Sequence, residues 1–516
     1  MKGDLPMSVQ LEKENVISTY PVRAVPQQME IEAEVTLPGG LRDEVRILYA
    51  DAVATPQACE GNGGRVTVSG TVDFHVLYAQ GDLTRVKAAE ARGDFSRTLT
   101  AAAPDGARFM PLCEVNRVSH RVFNGRVLLQ ADVNVYAEAL ATQEAITVTR
   151  VLEVDAQTLD KKMLLQQVVG EGGARELVRG EFDVNEALQA REALFSQAEA
   201  RVEDIIGGAD GRATVTGTID LTACFASALP GRPVVCSQHS FPFEKAVTLS
   251  GEMGEMLAAV ATVTDTAVAL EGDDKGKILR AEVEIDVKMQ SIGERQANVI
   301  TDVFFTGDSD VQTQEGELSF CTDMISEQTA ESARVQLLLP ENAPRIKTVL
   351  CAFARPVLAG ASEQNGKMTV DMALHTTLLY MTEDSGIPLS YTTDMPLRMT
   401  FSCAAQEEDM LSLTASHVEA SVVAGDRAEL RCVVTLHASG ARFEKTQVVS
   451  HVERNEKTAP VHVLALYITQ PEERLWDVMK RYRLSEKAIK ALNEQASGYA
   501  VDAPLPLSTR LIAYRR

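Results

Sequence analysis

The sequence is poor in aromatic residues and lacks several signatures of membrane and secreted proteins. Phenylalanine, tyrosine and tryptophan make up 5% of its 516 residues, and Trp476 is the only tryptophan. No stretch approaches the ~20 apolar residues of a membrane-spanning helix, and residues 1–15 lack the apolar run of a secretory signal. None of the eight cysteines forms a C-x-x-C pair. We therefore expect a cytosolic protein without a membrane span, whose cysteines are mostly small core residues.

Motifs that carry catalysis are also missing. None of the eight histidines pairs at metal-ligand spacing, and there is no G-x-S-x-G elbow, no P-loop and no dinucleotide fingerprint. A glycosidase pair could still be hidden among the many carboxylates, although most charge runs are solvated faces. The expectation is a protein that is not an enzyme and holds no cofactor and no metal.

The charge is strongly acidic and unevenly distributed. The formal net charge is -23, but residues 461–516 hold nine Lys or Arg against six Asp or Glu, which leaves -26 for the rest. An acidic body repels nucleic acid and anionic lipid surfaces, so neither is expected as a partner.

A fifteen-residue segment recurs three times without gaps. It reads GRVTVSGTVDFHVLY at 64–78, GRATVTGTIDLTACF at 211–225 and GKMTVDMALHTTLLY at 366–380. In the first copy Val66, Val68, Val72, Phe74 and Val76 share one parity, with polar residues on the other. That alternation is typical of a long, half-buried strand. The sequence therefore contains an internal repeat.

Two further blocks recur in the same order. Segments rich in Val and Leu begin at Arg126, Lys277 and Arg427, spaced 151 and 150 residues apart, and a weaker match begins at 37, 183 and 339. These blocks predict a mainly β fold with three tandem repeats, each an antiparallel sandwich or open barrel, at 12–155, 156–310 and 311–455.

Local patterns add details to this fold. Segments 116–123 and 126–133, joined by Asn124-Gly125, predict a β-hairpin, because that dipeptide readily takes the positive φ angles of a tight turn. Helical spacing of apolar residues favours short connecting helices at 158–171 and 185–200.

The three repeats, with a G-[RK]-x-T-V opening, a long alternating strand and an aromatic close, resemble the SPOCS module. This domain of unknown function is named for the spore coat and occurs in tandem in endospore-forming Firmicutes. The resemblance covers roughly residues 12–455.

The last segment, 461–516, has a different plan. A short strand at 464–468 precedes two helical patterns and a closing strand at 510–515. Leu475, Val478, Met479 and Tyr482 are spaced as the buried stripe of a first helix. Ser485 is placed to cap a second helix, whose predicted stripe is the following set: Ala488, Ile489 and Leu492.

This segment resembles the LysM domain, a small βααβ fold that binds N-acetylglucosamine polymers in peptidoglycan and chitin. The family pattern Y-x-V-x-P-G-D-T-L-W matches the stretch from Tyr467 to Trp476, and Asn493 falls on the family's Asn after the second helix. The Gly-Asp-Thr turn that lines the family's sugar groove is replaced by Glu472-Glu473-Arg474. These longer side chains obstruct close approach of a sugar, and two carboxylates at the groove mouth would repel muropeptides.

Protein binding is the preferred interpretation of the same domain. Trp476 lies one position from the buried stripe, with Lys480 and Arg483 on the same helix face. Tryptophan and arginine dominate binding energy at protein interfaces. The predicted partner-binding residues are Leu475, Trp476, Lys480, Arg483 and Asn493. The alternatives are that Trp476 completes a small core, or that residues 472–474 form a glycan groove.

The two resemblances together imply a function. Chains with tandem SPOCS modules and a terminal LysM domain look like spore-morphogenesis proteins of clostridia, whose LysM domain engages the stage IV coat-morphogenetic ATPase. They imply a non-enzymatic scaffold at the forespore surface in the mother-cell cytosol, which links that ATPase to coat proteins. The alternative is a cell-wall protein that binds peptidoglycan.

Overall fold

The structure is a computed structural model that describes residues 7–37, 44–62, 64–81, 83–102, 107, 109–208, 210–273, 276–306, 310–382, 386–406, 408–455 and 463–515. These residues form a mainly β fold, with two short α-helices near the C-terminus. The prediction of a mainly β protein is confirmed. None of the helices in these ranges is both long and apolar enough to cross a membrane.

The strands run antiparallel to their partners and are unusually long. They are β1 (Met7–Ser8), β2 (Leu11–Arg23), β3 (Gln27–Thr36), β4 (Val45–Asn62), β5 (Arg65–Gln80), β6 (Val86–Thr100), β7 (Phe109–Phe123), β8 (Arg126–Val151), β9 (Ala156–Val184), β10 (Ala190–Gly207), β11 (Arg212–Ser227), β12 (Val234–Gly251), β13 (Met256–Asp273), β14 (Gly276–Phe305), β15 (Val311–Leu338), β16 (Ile346–Gln364), β17 (Lys367–Thr382), β18 (Pro388–Ser402), β19 (Met410–Ala424), β20 (Arg427–Arg454), β21 (Val463–Ile468) and β22 (Arg510–Arg515). The helices are α1 (Leu475–Tyr482) and α2 (Glu486–Leu492).

Strand pairing together with the apolar cores divides strands β2–β20 into three consecutive groups. In the first group, β4-β5-β6 form a meander, while β2, β3 and β7 pair with β8. In the second, β10-β11-β12 form the meander, and β9 and β13 pair with β14. In the third, β16-β17-β18 form the meander, and β15 and β19 pair with β20. The middle strand of each meander contains all but the opening glycine of one of the three fifteen-residue segments described above.

The predicted hairpin is confirmed in the first group. Strands β7 and β8 pair, with Phe123 opposite Arg126, and the intervening Asn124 and Gly125 have φ angles of 48° and 72°. Asparagine and glycine take this left-handed conformation at lower cost than other residues, which is why this dipeptide sets the turn.

The two connecting helices predicted from apolar spacing are wrong. Residues 158–171 lie inside β9, which pairs with β14 along nearly its whole length. Residues 185–200 form a single 3-10 turn, Glu186–Leu188, and then enter β10. Asn185 caps that turn by accepting from the Ala187 amide at 2.9 Å, and Gln189 ends it at a φ angle of 43°. Pairing with a distant strand outweighs the local preference, because helical periodicity in a short apolar run is a weak signal.

Each group has its own apolar core between its meander and its long strands. In β5, the predicted parity is buried at Val66, Val68, Val72 and Phe74. Toward the end of this strand burial extends to both faces, because Leu77 and Ala79, on the other parity, are also buried. The second face of the strand end therefore packs on something outside its own group.

That second face packs in a cluster that all three groups share, which we call the shared centre. It consists of Leu48, Leu77, Ala79, Leu83, Val86, Leu194, Phe195, Cys224, Val234, Cys351, Phe353 and Leu379. Leu77, Cys224 and Leu379 hold the same position, the fourteenth, in the three fifteen-residue segments. Corresponding strand ends thus meet at one point in the molecule.

Three aromatic rings pack against one another at the shared centre. The Tyr49 ring stacks on Phe353 with 3.8 Å between ring centroids, and Phe195 meets both rings edge-on at 5.8 and 5.7 Å. Each ring comes from a different group. Burying a phenylalanine of this kind stabilises the folded state by about 1.5–3 kcal/mol, so this trio holds the groups together strongly.

The long strands make a second apolar junction between the groups. Its residues are Val16, Met163, Leu165, Ala297, Val299, Leu318, Phe320 and Val448. The buried Gln166 side chain accepts from the Met324 amide at 2.9 Å across the second and third groups. At one end, β1 pairs with β20, so the start of the described chain adds a strand to the third group. The first twenty strands are therefore tied together at several places.

Candidate functional site

The C-terminal segment folds into a strand, two helices and a strand, the order of elements predicted from the sequence. Strands β21 and β22 pair antiparallel along their six residues, with Leu464 opposite Tyr514. Ser485 caps α2 as predicted, since its hydroxyl accepts from the Ala488 amide at 3.2 Å. At α1, the Asp477 carboxylate accepts from the Arg474 amide at 2.9 Å, which satisfies a backbone donor at the start of the helix.

The predicted buried stripes are largely observed. Leu475, Val478 and Met479 of α1 are fully buried, and Tyr482 packs against them. In α2, Ile489 is buried, but Leu492 is exposed, so its placement in the stripe is wrong. Burial passes instead to the next residue, a polar one, because α2 ends at Leu492 and the chain turns there.

Asn493 fastens the end of α2 to the closing strand. Its amide nitrogen donates to the carbonyls of Ile489 and Ile512, both at 2.9 Å, and its side-chain oxygen accepts from the Ile512 amide at 2.7 Å. Leaving such a buried group unpaired costs about 1–3 kcal/mol. The described contacts of this predicted partner-binding residue therefore lie inside the domain.

The three residues of the predicted glycan groove have different environments. Glu472 is exposed and has a φ angle of 60°, a conformation that glycine adopts more easily. Glu473 is buried, and its carboxylate accepts from the Tyr467 hydroxyl at 2.7 Å and from the Gln470 amide at 3.0 Å. Arg474 donates to Asp477 at 2.9 Å. Only one of the two carboxylates thus faces solvent.

Two pKa values record these contacts. Burial raises the pKa of the Tyr467 hydroxyl, and the adjacent Glu473 carboxylate raises it further. For Asp477, burial acts to raise the pKa, but hydrogen bonds from the Arg474 side chain and amide outweigh it and lower the pKa. Both groups thus keep their usual charge at neutral pH, and the turn before α1 is held by charge-assisted hydrogen bonds.

The side chain of Trp476, which belongs to α1, packs against the end of β14. Its side chain is 1% exposed, its indole N–H donates to the Asp302 carboxylate at 2.8 Å, and its ring meets Phe304 edge-on at 5.0 Å. The ring therefore completes an apolar cluster that includes Phe304 of the second group as well as the core of its own domain.

The two cations predicted on the same helix face also contact the second group. The Lys480 ammonium donates to both oxygens of Asp302 at 2.7 Å, and the Arg483 guanidinium pairs with Asp310. The Gln157 side chain accepts from the Glu486 amide at 3.2 Å, where α2 begins. We call this set of contacts the α1 interface.

The α1 interface changes how the predicted binding residues are interpreted. Trp476, Lys480 and Arg483 are brought together as the sequence suggested, but their partner in the structure is the second group of the same chain. Leu475 belongs to the domain core and is fully buried. That any of these residues also binds another protein stays a prediction.

A second surface of the domain was missed by the sequence reasoning. On the outer face of the β21–β22 ribbon, Leu464 is 80% exposed and Leu466 is 68% exposed, and their cross-strand partners Tyr514 and Ile512 are also exposed. The segment VLALYI carries apolar residues on both parities, so one apolar face had to remain outside such a small core. We call these four residues the ribbon patch.

Two clefts open where the groups meet. One, between the second and third groups, is lined by Glu199, Asp220, Gln238 and His417 among others; the other, between the first and third, is lined by Asp51, Arg355 and His375 among others. Gln238 donates to the Val418 carbonyl at 2.9 Å, and Arg355 to the Ala52 carbonyl at 2.8 Å. The polar residues of both clefts therefore join neighbouring groups.

The pairs formed by the tenth residue of each fifteen-residue segment and its cross-strand partner differ from group to group. The cross-strand pair is Val53 with Asp73 in the first group, Glu199 with Asp220 in the second and Arg355 with His375 in the third. A reaction centre copied with each group would require the same side chains at these positions, and these pairs do not match.

Comparison of the chain with family models, with curated proteins and with solved structures finds no match.

Proposed function

We propose that this chain is a non-catalytic assembly protein of the spore coat, built from three SPOCS-like repeats (12–155, 156–310 and 311–455) and a LysM-like domain (461–516). It acts in the mother-cell cytosol at the forespore surface, where it links the stage IV coat-morphogenetic ATPase to coat proteins. The proposal rests on the sequence resemblances together with the surfaces described above.

The observation that carries the proposal is the exposed ribbon patch. Leu464, Leu466, Ile512 and Tyr514 form contiguous cross-strand pairs on one face of a small domain. Clustered exposed apolar side chains of this kind are typical of protein interaction sites. The residues at the α1 interface are already occupied within the chain, so the ribbon patch is the better candidate for the first contact with a partner.

The environment of the sugar-groove residues favours a protein partner over a glycan. Glu473 is buried and hydrogen-bonded within the domain, and Arg474 is engaged by Asp477. Sugar binding would need side chains or backbone groups that are free to take up hydroxyl groups.

The differing residues favour a scaffold over an enzyme, since Glu199 and Asp220 of the second group and Arg355 of the third contact a neighbouring group. A body held by a shared apolar centre is suited to presenting surfaces at fixed positions. A chain that binds the ATPase through its C-terminal domain and coat proteins through its repeats raises the effective concentration of both at the forespore surface without any chemical step.

The test measures binding of the full chain to the ATPase and to peptidoglycan sacculi. Leu466→Ser should weaken ATPase binding about tenfold, which corresponds to about 1.4 kcal/mol. Val260→Ser is the matched control, because Val260 is an exposed apolar residue on β13, outside the C-terminal domain. Retention on sacculi without ATPase binding would reject the scaffold and support the alternative, a cell-wall protein that binds peptidoglycan.

A further inference from the structure

Three cysteines distant in sequence converge at the shared centre. Cys224 lies on β11, Cys236 on β12 and Cys351 on β16, and their three sulfur atoms all lie within 4.8 Å of one another. The sulfur of Cys236 contacts the sulfurs of both Cys224 and Cys351. A sulfur atom can hold only one disulfide bond at a time, so these contacts describe two competing pairs.

Backbone geometry distinguishes the two pairs. Cys236 and Cys351 have Cα atoms 6.2 Å apart, within the span of about 4.4–6.8 Å that most disulfides occupy. Cys224 and Cys236 are directly opposite in adjacent strands with Cα atoms 4.1 Å apart, which is below that span. The pair that fits better is the one that joins the second group to the third.

The surroundings also favour a disulfide over a bound metal ion. Cys224 and Cys351 belong to a buried apolar cluster that includes Val234, Leu48 and Leu379. Three thiolates around a divalent cation would leave a net negative charge there, and burying charge in an apolar site is costly. A disulfide is neutral and has no such cost.

We propose that Cys236 and Cys351 form a disulfide that covalently joins the second and third groups, while Cys224 remains a thiol. The oxidant is a low-molecular-weight disulfide: the half-buried Cys236 thiolate attacks it and releases one thiol, and Cys351 then displaces the second.

The experiment treats the full chain with oxidised glutathione, blocks remaining thiols and digests it with trypsin. Because trypsin does not cut at Arg232-Pro233 or Arg355-Pro356, Cys224 and Cys236 share peptide 213–245, and Cys351 lies on peptide 348–367. The proposed bond joins these two peptides, whereas a Cys224–Cys236 bond closes peptide 213–245 on itself. Mass spectrometry separates the two products.

Three variants complete the test. Cys224→Ser should keep the joined peptides, Cys236→Ser should lose them, and Cys432→Ser, which changes a buried cysteine outside the cluster, should behave as the unchanged chain. The proposal is overturned if peptide 213–245 closes on itself in place of the joined product, if Cys236→Ser retains the joined product, or if the cluster stays unoxidised. One equivalent of zinc on the purified chain, lost in both Cys224→Ser and Cys236→Ser but kept in Cys432→Ser, would also overturn it in favour of a metal site.

Discussion

The shared centre and the α1 interface both join parts of one chain, but they do so with opposite chemistry. The shared centre is apolar and is filled by three aromatic rings from three groups. The α1 interface combines the Trp476 and Phe304 rings with ion pairs that join Asp302 to Lys480 and Asp310 to Arg483. Separating the groups would expose a large hydrocarbon surface to water, whereas separating α1 from β14 exposes two rings together with charged groups that water can solvate. The repeated body should therefore behave as one unit, and the C-terminal domain as a part that can be released.

The largest expected effect tests the shared centre. Phe195→Ala should lower the free energy of unfolding by about 3–5 kcal/mol, because it removes a buried ring that two others pack against. Phe123→Ala, at a phenylalanine that is 68% exposed, is the control and should change it by less than about 0.5 kcal/mol. Denaturant titration measures both. Equal effects would show that the centre does not hold the groups together.

The next effect tests the α1 interface. Asp302→Ala should weaken docking by about 1.5–3 kcal/mol, because it removes the acceptor of the Trp476 indole and the partner of Lys480. Trp476 is the only tryptophan, so its emission reports this interface alone and should shift to the red. Glu294→Ala, an exposed carboxylate on the same strand, is the control. An unchanged emission in Asp302→Ala would show that the interface rests on apolar packing.

Weakening a polar contact between the first and third groups should lower the free energy of unfolding somewhat less than removing a ring of the aromatic trio. Arg355 donates to the buried Asp51 carboxylate and to the Ala52 carbonyl. Arg355→Lys should cost roughly 1–3 kcal/mol of unfolding free energy, since lysine cannot reproduce the planar fork and leaves an acceptor unpaired.

The control for this substitution is an exposed pair. Arg398 and Asp371 form an ion pair in which both side chains are about half exposed or more, so Arg398→Lys should leave the stability nearly unchanged. Differential scanning fluorimetry compares the two variants. If both cost the same, the contact between groups would be no more than a surface ion pair.

The smallest expected effect is the loss of order at the start of α1 at acidic pH. The pKa of Asp477 is lower in the folded chain than its ordinary value of 3.8, so its contribution is complete above that value and is lost as the pH falls through the lowered pKa. Below that point α1 should fray at its start. Asp477→Asn should remove this pH dependence, measured by Trp476 emission on acidification. A variant as acid-sensitive as the original chain would place the effect at other carboxylates.

Some features of the fold could be read directly from the residues. Alternation in the fifteen-residue segments predicted β5, β11 and β17, and Asn124-Gly125 predicted the turn between β7 and β8. These features depend on side-chain parity and on local φ preferences, which the residues themselves carry. The helices expected at 158–171 and 185–200 failed because pairing with distant strands outweighs a short periodic pattern.

Only part of the candidate site could be predicted from the sequence. Trp476, Lys480 and Arg483 were grouped correctly by helix geometry, but the occupant of their face, Asp302 with Phe304, comes from more than 170 residues earlier in the chain. The ribbon patch had a local signal, apolar residues on both parities of a strand in a small domain, which the sequence reasoning did not use.

By itself the sequence determined the β-rich character, the three recurrences and the strand-helix-helix-strand plan of the last segment, because these follow from periodicity and turn chemistry along the chain. The meeting of corresponding strand ends in a shared centre, the convergence of three cysteines there and the packing of α1 on β14 became visible only in the three-dimensional structure. Those contacts join residues that no local pattern relates, and they form because each group leaves an apolar face that another group can cover.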